Sequence, residues 1–88
     1  PANYNYNIAN LNNIKNLDCL RNFSNLFFLD CSYNLIPDIS FLQSCDKLKF
    51  LFFSNNEICS VEPISYCTNI EKIYCSNNKI NSLDPLIS

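Results

Sequence analysis

The sequence predicts a single α/β domain wound as a right-handed solenoid, with short parallel strands on a concave face and 3₁₀ turns or coil on the convex face. Three observations predict it. Asn12, Asn34, Asn56 and Asn78 are each 22 residues apart, and the same step links Ile14, Ile36, Ile58 and Ile80. Two more apolar columns keep that step: Leu17, Ile39, Val61 and Leu83, then Leu20, Leu42, Ile64 and Leu86. Ahead of the asparagines, Leu29 and Cys31 alternate with Phe28 and Asp30, the period-2 pattern of a strand with one face buried. Self-similarity at a period of about 20 to 29 residues means a stacked array, each unit burying its apolar side against the next.

Four units, at about 4–25, 26–47, 48–69 and 70–88, account for the chain. It starts at the twentieth position of one unit and stops at the nineteenth of another, with no recognisable polar cap at either end, as expected of a segment from a longer array. The first unit is the least regular. Its strand half reads Tyr4, Asn7, Ala9 where the second reads Leu26, Leu29, Cys31. Asn7 then falls on an inward position, which costs free energy unless its amide is hydrogen-bonded. Either this is a worn repeat in register, or the strand is slipped by one residue so that Ile8 faces in. A slip would move Asn12 out of its column, which favours the worn repeat.

The second unit, LFFLDCSYNLI onward, fits without gaps. After Asn34, the apolar residues Ile36, Ile39 and Leu42 come three apart, a spacing that suits a 3₁₀ turn, whose side chains eclipse at i and i+3. Pro37 also opposes a regular helix. The third and fourth units repeat the scheme, with Pro63 and Pro85 each one residue before an inward Ile64 or Leu86. Proline there fixes φ and fits a short connecting coil on the outer side of the solenoid.

A net charge of −2 with only six Lys plus Arg argues against nucleic acid, which needs a basic stripe to displace counterions. No apolar run is long enough to insert in a membrane, and no leader pattern opens the chain. His and Gly are absent, which removes the commonest general base and metal ligand and every phosphate-cradling glycine loop. No catalytic residue, metal ligand or cofactor site is expected. Ser32, Ser54 and Ser76 form a column after the strand, but without His their expected role is hydrogen bonding in the turn.

At LFFLDCSYNLIPDISFL, LKFLFFSNNEICSVEPI and IEKIYCSNNKINSLDPL the chain resembles the 22-residue leucine-rich repeats of the phosphatase-regulator (SDS22-like) subclass, which the bacterial internalins share. The resemblance covers residues 26–88 strongly and 4–25 weakly. It implies a leucine-rich-repeat solenoid. It also implies an asparagine ladder of Asn34, Asn56 and Asn78, with Asn12 as a weaker first rung. The physical need is independent of the family: where the chain leaves each strand, inward-pointing backbone groups require partners, and an amide supplies both donors and acceptors.

Of the six cysteines, Cys31, Cys45, Cys67 and Cys75 fall in core columns, and no C-x-x-C occurs. Cys31 and Cys75 are two units apart, about 10 Å for strands stacked at about 4.8 Å, too far for a bridge. Cys45 and Cys67 are in adjacent units of one column and could pair, but reduced cysteine acting as a small hydrophobe is the commoner case. Reduced thiols favour an intracellular, cytoplasmic setting; a signal peptide on the parent chain would place it at the cell surface or outside. The single N-x-S match at Asn22–Ser24 is too common to argue for secretion.

The outward strand positions point to function. One column reads Tyr6, Phe28, Phe50, Lys72 and the next Ile8, Asp30, Phe52, Tyr74, with Phe27 as a flank. Stacking sets these rings side by side on the concave face, where water would select polar residues. Such a patch marks a binding surface, and aromatics are favoured interface anchors. The expected function is a protein-binding scaffold with Tyr6, Phe28, Phe50, Phe52 and Tyr74 as anchors and Asp30, Lys49, Glu71 and Lys72 around them. The alternative is a spacer whose rings merely cover the sheet.

Overall fold

The computed structural model describes the backbone of residues 5–8 and all of residues 13–81. Four strands, β1 (Asn5–Ile8), β2 (Leu26–Asp30), β3 (Phe50–Phe52) and β4 (Lys72–Tyr74), form one sheet in the order β1-β2-β3-β4, and every neighbouring pair is parallel. Parallel neighbours need a crossover rather than a hairpin. Each crossover carries one five-residue 3₁₀ turn: η1 (Asp18–Asn22), η2 (Ser40–Ser44) and η3 (Glu62–Tyr66). This is the solenoid that the repeat predicts, one strand and one 3₁₀ turn per winding.

Strand register sets each position on the one 22 residues further on. Phe28 pairs with Phe50 and Phe50 with Lys72; Asp30 pairs with Phe52 and Phe52 with Tyr74. The backbone of β1 enters in the same 22-residue register over Tyr6↔Phe28, Asn7↔Leu29 and Ile8↔Asp30, so it is not slipped there. Its departure is an irregularity between Asn5 and Tyr6, where Asn5 pairs with Leu26 and Phe27 is skipped. Residues 4, 9, 12 and 82–88, including Asn12, Leu83, Pro85 and Leu86, lie outside the described residues.

The convex side is a run of i→i−3 bonds. Leu20, Leu42 and Ile64 N–H groups donate to Leu17, Ile39 and Val61 carbonyls at 2.9–3.0 Å. Phe23, Cys45 and Cys67 N–H groups then donate to Leu20, Leu42 and Ile64 carbonyls, and Leu26, Leu48 and Ile70 N–H groups to Phe23, Cys45 and Cys67. Side chains two residues ahead of each turn accept its first N–H: Asn16 Oδ1 from Asp18 and Asp38 Oδ1 from Ser40, both at 2.7 Å, and Ser60 Oγ from Glu62 at 3.3 Å. These are Asx- and Ser-turns that open the helical segment.

The core is the stacked columns themselves: Leu26 and Leu48, Leu29 and Leu51, Cys31 and Phe53, Ile36 and Ile58, Ile39 and Val61, Leu42 and Ile64, Cys45 and Cys67 are all buried. Pro63 lies in the connecting segment on the convex side, as expected, within the first turn of η3 rather than in coil; a missing N–H loses no helical bond there, and its side chain is buried. Phe41 holds the same position one unit earlier and is fully buried, whereas Cys19, one unit before that, is exposed, so the position belongs to the core in the second and third units.

Candidate functional site

Two sets of residues repeat with the strands, one inside the solenoid and one on its concave surface. Inside, Asn56 Oδ1 accepts the Ile36 N–H at 3.0 Å, and Nδ2 donates to Cys31 O at 2.9 Å, Phe53 O at 3.1 Å and Ser54 O at 3.3 Å. Asn78 repeats this one winding on: Oδ1 accepts from Ile58 N–H, and Nδ2 donates to the Phe53, Cys75 and Ser76 carbonyls. Asn34 Oδ1 accepts from Ile14 N–H while Nδ2 donates to Cys31 and Ser32 carbonyls. Each of Asn56 and Asn78 therefore ties its own winding to the preceding one from both ends of the amide. Among the described residues no buried side-chain nitrogen or oxygen lacks a partner.

The residue before each rung takes the left-handed backbone conformation: Tyr33 and Asn55 have φ 60° and Asn77 φ 58°. Asparagine tolerates this region and tyrosine does so at a cost. The turn aims the following amide back into the solenoid.

On the concave surface the rings form a continuous row. Phe27 meets Phe50 edge-on with centroids 5.5 Å apart, Phe28 lies 6.3 Å from Phe50 and 5.3 Å from Phe52, and Phe52 lies 4.9 Å from Tyr74. The sequence columns foretell the Phe28–Phe50 and Phe52–Tyr74 neighbours. The diagonal Phe28–Phe52 contact and the part of Phe27 depend on ring orientation, which no column shows. The rings half-bury one another, while Tyr74, at the end of the row, is 54% exposed. The side chain of Tyr6 lies outside the described residues.

Charged groups border the row. Lys49 Nζ is 3.5 Å from Glu71 and 5.6 Å from the centre of the Phe27 ring, so one ammonium serves both an ion pair and a cation–π contact. Asp30 Oδ1 accepts the Ser32 N–H at 3.1 Å. Lys72 is exposed beside Tyr74. Among the described residues no pocket opens and no group of metal-ligating side chains gathers. Ser76 Oγ meets Ser54 Oγ at 3.3 Å, a hydroxyl contact on the same rim.

The six cysteines are unpaired, with Cys31, Cys45 and Cys67 buried, Cys75 half-buried and Cys19 and Cys59 exposed. Burial pushes the Cys31 and Cys67 thiols up to about 12 and also raises Cys45. Thiols so held are poor nucleophiles and poor metal ligands. No helix among the described residues is long and apolar enough to cross a membrane.

Parallel strands one winding apart, 3₁₀ turns opposite them and buried asparagine rungs define a class of solenoid. The chain belongs to the leucine-rich repeat family: a model of two such repeats matches residues 24–66 and again 46–88. Among solved structures, it is similar to an internalin (inlF) from Listeria monocytogenes, with 27% identity and a TM-score of 0.82 over 84% of this chain and 22% of that one. It is also similar to internalin C2 from the same organism, with 26% identity and a TM-score of 0.76 over 86% of this chain and 34% of that one. The chain thus spans about a third or less of either internalin's length. No curated protein matches it.

Proposed function

We propose that the chain is a non-catalytic protein-binding scaffold whose concave strand face, centred on Phe28, Phe50, Phe52 and Tyr74, is the docking surface. The observation that carries this reading is the row of rings at 4.9–6.3 Å spacing across β2, β3 and β4. It is an apolar strip on the solvent side of a sheet whose other side already supplies the core. Asp30, Lys49, Glu71 and Lys72 give it the polar rim that interfaces carry, and the absence of a pocket among the described residues fits a broad protein surface better than a small ligand. The similarity to internalins over a fraction of their length fits a segment of a longer repeat array.

The test compares surface and core positions in one strand. Leu51 is fully buried, so Leu51→Ala should destabilise by about 2 to 5 kcal/mol. Phe50→Ser and Phe52→Ser should lower stability much less, while each weakens partner binding by about 2 kcal/mol or more if it is an anchor. Chemical denaturation and titration calorimetry read the two effects separately. A loss of stability matching that of Leu51→Ala would make the rings structural cover and the segment a spacer.

A further inference from the structure

The charges beside the ring row have a symmetry that the row alone does not require. On β2, β3 and β4 the two outward columns read Phe28, Phe50, Lys72 and Asp30, Phe52, Tyr74. The four rings occupy a diagonal of this block, from Phe28 through Phe50 and Phe52 to Tyr74. Asp30 and Lys72 hold the two corners off the diagonal, on opposite sides of it and with opposite charge. Lys49 is satisfied by Glu71, whereas neither Asp30 nor Lys72 has an ion-pair partner among the described residues.

We propose that the partner of this face is a second copy of the chain, docked concave face to concave face about a two-fold axis along the ring diagonal; this rests on the concave face being the docking surface. Rotation about an axis lying in the contact plane turns one face onto the other, returns the diagonal to itself and exchanges the two corners. Rings then pack against rings. Each Asp30 carboxylate meets the Lys72 ammonium of the other copy, so the same ion pair forms twice. An isologous dimer requires a self-complementary patch of this kind, and charge complementarity fixes its register. With both corners of one sign, the same rotation would set like charges together.

Sedimentation equilibrium on the whole chain over a concentration series tests this. The native chain should dimerise, more weakly as salt rises. Asp30→Lys alone sets two cations at each corner pair and Lys72→Asp alone two anions, so each should raise the dimer dissociation constant by about tenfold or more. An equimolar mixture of the two variants should dimerise again: the introduced lysine of one chain faces the introduced aspartate of the other, while the untouched Lys72 and Asp30 meet as before. Circular dichroism verifies that each variant is folded. A native chain that stays monomeric, single variants that dimerise like the native chain, or a mixture that fails to recover would each overturn the second-copy proposal. If, in that case, Phe50→Ser still abolished binding to a different protein, the concave-face reading would stand and only the identity of the partner would fall.

Discussion

Asn56 makes four hydrogen bonds with one amide, and three of its four partners, Ile36, Cys31 and Phe53, are buried residues. Replacing it by Ala leaves the buried Ile36 N–H without its acceptor and takes one of two amide donors from the Cys31 and Phe53 carbonyls, which keep Asn34 and Asn78, so Asn56→Ala should destabilise by about 1 to 3 kcal/mol. Asn78, which is only half-buried, should lose less, because water can replace part of what is removed. Thermal melts of the two variants side by side check the order. Tyr33 offers the opposite change. It is 60% exposed with φ 60°, so its ring gains little from packing while its Cβ opposes the backbone. Tyr33→Asn should stabilise by about 0.5 to 1 kcal/mol, since Asn55 and Asn77 already take this conformation and asparagine tolerates it better than an aromatic residue. An unchanged or lowered melting temperature would show that the tyrosine ring has a packing role after all.

At the scale of elements, the entry to each 3₁₀ turn depends on a side chain of changing identity but constant chemistry: Asn16, Asp38 and Ser60 all accept an N–H two residues on. Asp38→Ala should cost about 1 kcal/mol, in the range of lost capping bonds, and Asp38→Asn should largely restore it, which urea titration would resolve. The same residues show what the sequence leaves hidden. A column of one residue type, such as Asn34, Asn56 and Asn78, is legible at once, and so are the leucine and isoleucine columns that define strands and 3₁₀ turns. A column defined by a shared hydrogen-bonding capacity is not, because Asn, Asp and Ser look unrelated by type. Phe41 and Pro63 escape for the complementary reason: both fill one core position, but neither shares size or backbone freedom with the other. Along the strands, position in the columns is enough to place Phe28 beside Phe50 and Phe52 beside Tyr74. Their tilts, and the recruitment of Phe27, depend on side-chain torsions that a period cannot carry.

For the whole molecule, burial of thiols links stability to pH. Cys31 and Cys67 stay protonated to about pH 12 in the folded chain, whereas an unfolded thiol ionises near its ordinary value of about 8.5. Their contribution is therefore fully present below that value and is lost as pH rises through the folded range. The midpoint of unfolding should fall progressively as pH rises from about 8.5 to 12. In Cys31→Ala, measured against its own neutral-pH value, the fall should be shallower; an equal slope would assign it to other groups.

The directions of the bonds carry a mechanical consequence. Within a winding, the 3₁₀ bonds close i→i−3, but strand pairing and the asparagine amides both run from one winding to the next, along the stacking axis. A pull along that axis therefore loads the bonds of one winding at a time, as in peeling tape, rather than shearing all of them together. Each peeled winding releases one 22-residue unit, about 75 Å of extended chain. Such an array would lengthen under tension in equal steps while the windings still stacked kept their shape, yielding by increments where a globule held in shear would resist and then give way at once.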